Sequence, residues 1–311
     1  MWQYLLQKQT LDDMNIGYFD NWASVFGVIT QSIEVKPSGD GFRPRTRFSN
    51  FVNLNELCNL FGEVFDIAKT ADMNLKLPAI QNGKPEMIIC EKSPEQELQT
   101  DAGIERARRI EAKMVQPDED NMLAVCTYMT KVALDARIID PEAEEYDGGK
   151  VALCAEKIIG INKANPGTAQ AVFCDTNTPK KDAFSVYQAL RDRLVRSGEF
   201  TENEIAFVHD AANDKQRLAM FEKVNNAEIK IIIGSTGKLG TGVNIQRKLS
   251  ALHHLDAPYR PSEVEPIQRN FLSNFIIKII NQACRRTYSK HQVSEYAHRQ
   301  HLQVREPQSA L

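Results

Sequence analysis

From Lys150 onward the sequence alternates short apolar runs with amphipathic stretches, and this alternation limits the chain to one class of architecture. Ala169–Cys174 reads as a strand, Ala183–Arg196 as a helix, Ile205–Val208 as a strand and Asp214–Val224 as a helix; Ile229–Ile233 and Leu249–Leu255 read as two more strands. Ile229–Ile233 is apolar apart from Lys230, as suits a strand covered on both faces. Strands separated by helices of about 12 residues predict an α/β fold with a parallel sheet wound through right-handed β-α-β units. In such sheets ligands bind at the carboxyl ends of the strands. The informative residues are therefore Asp175–Thr178, His209–Asp210, Gly234–Gly242 and Asp256–Arg260.

The first half is less regular. Residues 1 to 80 mix aromatic and polar side chains, and Pro37-Ser38-Gly39-Asp40-Gly41 predicts a turn between strands around Ser32–Val35 and Arg43–Phe48, a β-hairpin or ribbon. Asn53 then offers an N-cap to a helix whose apolar positions are Leu57, Leu60, Phe61, Val64, Phe65 and Ala68. Ser93-Pro94-Glu95-Gln96-Glu97 opens a long charged helix through Arg109 and Met114, and Pro141–Gly149 reads as a flexible acidic loop. The N-terminal segment is thus expected to be an irregular assembly of helices and a hairpin.

Composition narrows the function. The 311 residues are 42% hydrophobic and 25% charged, an ordinary globular balance that excludes a disordered chain, a collagen-like repeat and a small disulfide scaffold. The apolar run Phe275–Ile280 is broken by Lys278 and is too short to span a bilayer; the start of the chain has no signal-peptide character. Six cysteines (58, 90, 126, 154, 174, 284) form no C-x-x-C pair, which argues against structural zinc or a redox dithiol and for a reduced, cytoplasmic protein. The net charge of -3 hides an asymmetry. Residues 266 to 311 hold 7 basic and 2 acidic residues, leaving 31 and 39 to the first 265. The tail is expected to be an unstructured appendage, or else a weak nucleic-acid contact.

Gly234–Gly242 follows an apolar strand, so a phosphate loop has to be considered. The Walker A pattern G-x-x-x-x-G-K-[ST] wraps phosphates with four intervening residues and reaches magnesium with a final hydroxyl. Here two residues separate Gly234 from Gly237-Lys238, and Leu239 stands where the hydroxyl belongs. The order G-x-x-G-x-G also fails the dinucleotide fingerprint. A tight turn of positive-φ glycines would explain the glycines but not the residues around them. His209-Asp210 has no spaced partner histidines, and His254 with Asp256, on one strand face, has no third ligand. No Ser-His-Asp or Cys-His arrangement has a supporting motif, so no catalytic or metal-binding residue is assigned.

The residues around the glycines carry a resemblance. Ser235–Gln246, then Leu252-His253-His254-Leu255-Asp256-Ala257-Pro258-Tyr259-Arg260-Pro261, resemble motif V and the following strand of Swi/Snf-like superfamily-two helicases. More closely, the chain is similar to the helicase region of the large helicase–adenine-methylase proteins of bacterial conjugative elements and phages. Phe173–Pro179 fits the motif IV region, Val208–Ala211 the next strand end, and Phe19–Gly27 a segment between the two motor domains. The likeness covers about residues 1 to 265. It implies a RecA-like domain in which Asp175, Thr176, Asn177, Thr178, Ser235, Thr236 and Lys238 face nucleic-acid phosphates. Short polar side chains suit phosphate oxygens and read no base. It also implies that Gly240, Thr241, Gly242, Asn244, Asp256 and Arg260 face the nucleotide.

Much of the motor is missing. ATP hydrolysis needs a phosphate-cradling lysine loop, an acidic magnesium ligand and an arginine finger. The chain has no Walker A and no D-E-x-[HD], and after Glu263-Val264-Glu265 it reads Pro266–Ser273 where the family has E-Q-R-x-G-R-x-x-R. The resemblance therefore implies an inter-domain segment with the end of the first motor domain over 1–149, an incomplete second RecA-like domain over 150–265, and a divergent basic tail over 266–311, as from an interrupted gene. ATP and Mg2+ would be used only with the missing first domain. The expected partner is DNA, with the remainder of the helicase or a methyltransferase region, and no membrane. The alternatives are a non-enzymatic nucleic-acid-binding or interaction module, and a nucleotide-binding enzyme built on Gly234–Gly242.

Overall fold

The computed structural model describes residues 8–36, 41–64, 85–180, 183–240, 243–256 and 275–281. The chain divides into two compact units, Met1–Lys36 with Asp40–Lys76, and Pro37–Gly39 with Leu77–Leu311.

The first unit contains α1 (Lys8–Asp13), α2 (Phe19–Phe26), β1 (Gly27–Val35), β2 (Phe42–Phe51) and α3 (Leu54–Gly62). β1 and β2 form the expected antiparallel ribbon, longer than the sequence suggested, with a register shift at Val28/Ile29. Its small core is Leu11, Ile16, Phe26 and Leu60, with Trp22 and Leu57 packed against them. Trp22 also stacks on Phe48 at 6.3 Å. Asn53 precedes α3 as expected but does not cap it. It adopts a left-handed conformation, φ 51°, which asparagine tolerates, and its Nδ2 donates to the Val25 carbonyl (2.8 Å), tying α3 to α2. Phe65 and Ala68 lie outside the described residues.

The second unit is a three-layer α/β structure. Its elements are β3 (Glu86–Cys90), α4 (Pro94–Glu111), α5 (Met122–Leu134), α6 (Lys150–Ala164), β4 (Ala169–Phe173), α7 (Val186–Arg196), β5 (Ile205–Phe207), α8 (Asp214–Asn225), β6 (Ile231–Gly234), α9 (Thr236–Leu239), β7 (Leu249–His254) and β8 (Phe275–Asn281). Six strands form one sheet in the order β3-β8-β7-β4-β6-β5, and every pairing is parallel. Ile231, Ile232 and Ile233 are wholly buried, because alternate side chains enter different layers. Val172, Ile231 and Ile233 meet Ile158 of α6 with Leu190 and Leu194 of α7. Ala171, Phe173 and Ile232 meet Phe221 and Val224 of α8. Each buried branched or aromatic side chain contributes about 1.5–3 kcal/mol relative to exposure. β8 falls within the stretch expected as a basic tail; it lies between β7 and β3, with Ile276, Ile277 and Ile279 buried.

α4 begins where the sequence placed it. Ser93 Oγ accepts from the Gln96 amide (3.1 Å), Gln96 Oε1 accepts from the Ser93 amide (3.0 Å), and Pro94 occupies the first turn, a complete capping box. The same Gln96 donates through Nε2 to the Val132 carbonyl of α5 (2.6 Å). Gln96→Ala therefore removes a cap and leaves a buried carbonyl without its donor. A loss of about 1–3 kcal/mol is expected in urea unfolding; a change within about 0.5 kcal/mol, the scatter of surface substitutions, would show that Gln96 does not couple the helices.

Pro141–Gly149, expected as a flexible loop, is held to α7. Glu145 accepts from Arg193 (2.9 Å) and Arg196 (2.7 Å), and Asp147 from Arg193 (2.6 Å). Burial pushes the Glu145 carboxyl up, but the Arg196 and Arg193 bonds prevail and hold it below the usual range.

Candidate functional site

The order of strands along the chain fixes where the site forms. From β4 the chain winds outward to β5 and returns to β6, then crosses to β7 on the other side of β4. The sheet thus has a topological switch point between β4 and β7, where carboxyl-end loops diverge and leave a crevice. Asp175 and Thr176 follow β4, and Asp256 ends the turn after β7.

These residues meet in one chain of hydrogen bonds. The Asp256 carboxylate accepts from the Asp175 amide (2.9 and 3.0 Å) and the Thr176 amide (2.6 Å). Burial raises the Asp256 pKa, while the Thr176 hydroxyl and the two amides oppose that shift. Asp175 in turn accepts from the Thr236 amide and hydroxyl, both at 2.7 Å. The loops after β4, β6 and β7 are therefore locked together by two carboxylates. Asp256 turns its oxygens toward the β4 loop, and the Thr176 and Thr236 hydroxyls point into the same network.

The remaining expected residues separate. Asn177 Oδ1 accepts from the Val186 amide (2.7 Å) and so starts α7. Ser235 and Thr178 are half-buried, and neither hydroxyl has a partner among the described residues; Lys238 is exposed. Gly240 is buried. Asn244 is exposed and accepts through its main-chain oxygen from Asn225 on the α8 side. Thr241, Gly242 and Arg260 lie outside the described residues. None of Gly234, Gly237 and Gly240 has positive φ, so the positive-φ turn does not describe them. Gly234 instead permits a close approach: a Cβ there would stand 3.1 Å from Leu239 and from Val208.

Five further residues line the site. Lys150 is buried and donates through Nζ to the Leu255 carbonyl (3.1 Å). The Tyr187 hydroxyl donates to the Cys174 carbonyl (2.6 Å), and burial pushes both Tyr187 and Cys174 toward their neutral forms. Arg191 lies with its guanidinium 3.9 Å over the Phe207 ring and 4.0 Å from Asp210. His209 packs edge-on to Tyr187 at 5.6 Å. Arg191 Nε, His209 Nδ1 and Ser185 Oγ are all shielded from water without a hydrogen-bond partner among the described residues. Burial, then Lys238, lowers the His209 pKa. This corner beside β5 therefore sets Arg191 and Lys238 against Asp210 and Asp175, among polar groups without partners among the described residues. The sequence signalled His209 by its place after a strand; Lys150, Ser185 and Arg191 gave no signal, because their neighbours are brought in by the fold.

Among the described residues no three His, Cys, Asp or Glu side chains converge, at His209-Asp210 or at His254 with Asp256. His254 stacks on Phe173 at 5.1 Å, and Asp256 is committed to the β4 loop. No helix among the described residues is long and apolar enough to cross a membrane.

No protein-family model and no curated protein sequence matches the chain. Solved structures do. The Sulfolobus solfataricus SWI2/SNF2 ATPase core domain is 16% identical, with a TM-score of 0.51 over 81% of this chain and 50% of that one. The core of that organism's SWI2/SNF2 ATPase in complex with dsDNA gives 16% identity and TM-score 0.48, over 85% of this chain and 51% of that one. Its C-terminal domain gives 16% and 0.45, over 64% and 79%. The chain thus spans about half the length of the two ATPase cores. The six-stranded parallel sheet with its flanking helices is the RecA-like fold of the SWI2/SNF2 ATPase core domain.

Proposed function

We propose that this chain is the second motor domain, with the segment preceding it, of a Swi/Snf-like ATP-dependent DNA helicase or translocase. In this reading its sheet loops hold the phosphate backbone. The observation that carries it is the carboxyl edge of the sheet: exposed Lys238 beside His209, with the half-buried Ser235 and Thr178 hydroxyls without partners among the described residues and the Arg191 guanidinium at the neighbouring corner. Arginine, lysine and hydroxyl donors fit phosphate oxygens and carry no base information. Motif IV and motif V resemblances support the same edge, and the fold agrees with it.

The described residues do not fit ATP and magnesium by themselves. Asp256, the acid expected on the nucleotide side, directs its carboxylate at two main-chain amides, and no acidic cluster replaces it among those residues. ATP turnover accordingly requires the first motor domain. The division at 149 and 265, the likeness to helicase–methylase proteins of mobile elements, the fragment origin and a cytoplasmic setting belong to this same proposal.

Two measurements test it. The full chain should bind a 20-base-pair duplex at low salt in fluorescence anisotropy. Arg191→Gln with Lys238→Gln should weaken binding about tenfold and flatten the salt dependence by about 0.9 per lost phosphate contact. Unchanged binding in that double variant would overturn the assignment of the site. Phosphate release from ATP should stay at background with or without DNA, and strong DNA-stimulated release by this chain alone would overturn its dependence on a first domain.

A further inference from the structure

We infer that the β1–β2 ribbon is a second nucleic-acid contact, gripping the phosphate backbone through Arg43 and Arg45 on one face. It belongs to the first unit and does not depend on the sheet-loop site.

The ribbon's pairing sorts its side chains. Ile29 stands opposite Phe48, Ile33 opposite Pro44, and Val35 opposite Phe42. Successive side chains in a strand point to opposite faces, so the intervening residues share the other face: Arg43, Arg45 and Arg47 on β2, with Glu34, Ser32 and Thr30 across from them in turn. Three arginines thus stand in one row against a single acid, Glu34, although the whole chain carries a net charge of -3. Arg45 is exposed. Arg43 is half-buried, and its Nε has no hydrogen-bond partner among the described residues. Arg47 continues the row but already has a partner within the chain.

Charge, spacing and shape all suit a nucleic acid. Alternate residues of an antiparallel strand are about 6.8 Å apart, close to the axial rise of two phosphates on one DNA strand, at about 3.4 Å each. Guanidinium groups bind phosphate through two parallel N–H donors, and the hydroxyls of Thr30 and Ser32 add short polar groups to that face. A two-stranded ribbon is also narrow enough for a major groove about 12 Å wide. The opposite face carries exposed Ile29, Ile33 and Phe42 and would be the side to enter a lipid surface. The proposal places the contact on the arginine face.

The test compares the full chain with Arg43→Gln/Arg45→Gln and with Arg43→Lys/Arg45→Lys, using a 20-base-pair duplex and vesicles of mixed neutral and anionic lipid. The glutamine variant should lower the slope of log K against log salt by nearly 2, about 0.9 per arginine. The lysine variant should keep most of that slope, which separates charge from folding. An unchanged slope in the glutamine variant would overturn the inference, as would loss of vesicle binding with duplex binding intact. The sheet-loop variant keeps the two sites distinct. If only Arg191→Gln/Lys238→Gln weakens binding, the ribbon proposal falls and the motor-domain reading stands. If only the ribbon variant does, the sheet-loop site falls instead. A wild-type chain that binds no duplex overturns both.

Discussion

Replacing Asp256 with alanine is expected to destabilise the second unit by about 2–6 kcal/mol, since the amides of two half-buried residues would lose their acceptor at about 1–3 kcal/mol each. Those amides belong to Asp175 and Thr176, and their turn places the Asp175 carboxylate against Thr236. One truncation therefore loosens the ends of β4, β6 and β7 together. Asp256→Asn should lose less than alanine. Its carboxamide keeps one acceptor oxygen and relieves the burial that already raises the pKa of the acid. Its NH2 group, however, would face an amide donor. Urea unfolding at neutral pH gives the comparison. A loss below 0.5 kcal/mol for alanine, the range of ordinary surface changes, or an equal loss for both variants, would remove Asp256 as the tie at the switch point.

That tie marks the boundary of what the sequence disclosed. β4 to β7 were legible because a parallel sheet covered on both faces requires apolar runs, and Ala169–Phe173 and Ile231–Ile233 supply them. α4 was legible because its capping box is local. β3 was not: Glu86–Cys90 is short, and it becomes a strand only through pairing with β8. Phe275–Ile280 registered only as a run too short for a membrane, yet it forms part of the strand β8, paired on both sides in the sheet. For the site, position after a strand singled out Asp175, Thr236 and Asp256, which the fold joins in one hydrogen-bond network, and Ser235 next to them. It could not show that Asp256 and Asp175 are joined across 81 residues, or that two threonine hydroxyls turn inward. Pairing of polar groups distant in sequence is a property of the folded chain.

The same limit applies to the adjacent histidines His253 and His254: the sequence singled out only His254, with Asp256, and both imidazoles prove to be buried. Acidification is expected to unfold the second unit early because of them. Gln170 donates through Nε2 to the Ile158 carbonyl (2.9 Å), which turns its Oε1 toward His253 Nε2 at 2.8 Å. The hydrogen-bond network thus assigns the proton of a neutral His253 to Nε2. His254 stacks on Phe173 and leaves its Nε2 without a partner among the described residues. Burial pushes both imidazoles down to about 3, with His254 adding to the shift of His253 and Lys278 to that of His254. In the unfolded chain each titrates near 6.5. Below that value the unfolded state takes up protons that the folded state refuses, so stability falls as pH falls from about 6.5 toward 3. The slope is about 1.4 kcal/mol per pH unit for each histidine, or nearly 3 for the pair. Asp256 works the other way. Its raised pKa means that the folded state holds a proton more readily above the usual carboxylate range, which offsets part of the loss. Between pH 6.5 and 4.5 the two histidines alone should remove about 4–5 kcal/mol, a large share of a typical domain's 5–15 kcal/mol. His254→Phe preserves the ring against Phe173 and should halve the slope, seen as urea midpoints that shift less between pH 7 and 5. Wild-type midpoints that do not move across that range would mean that His253 and His254 are not both buried as neutral rings.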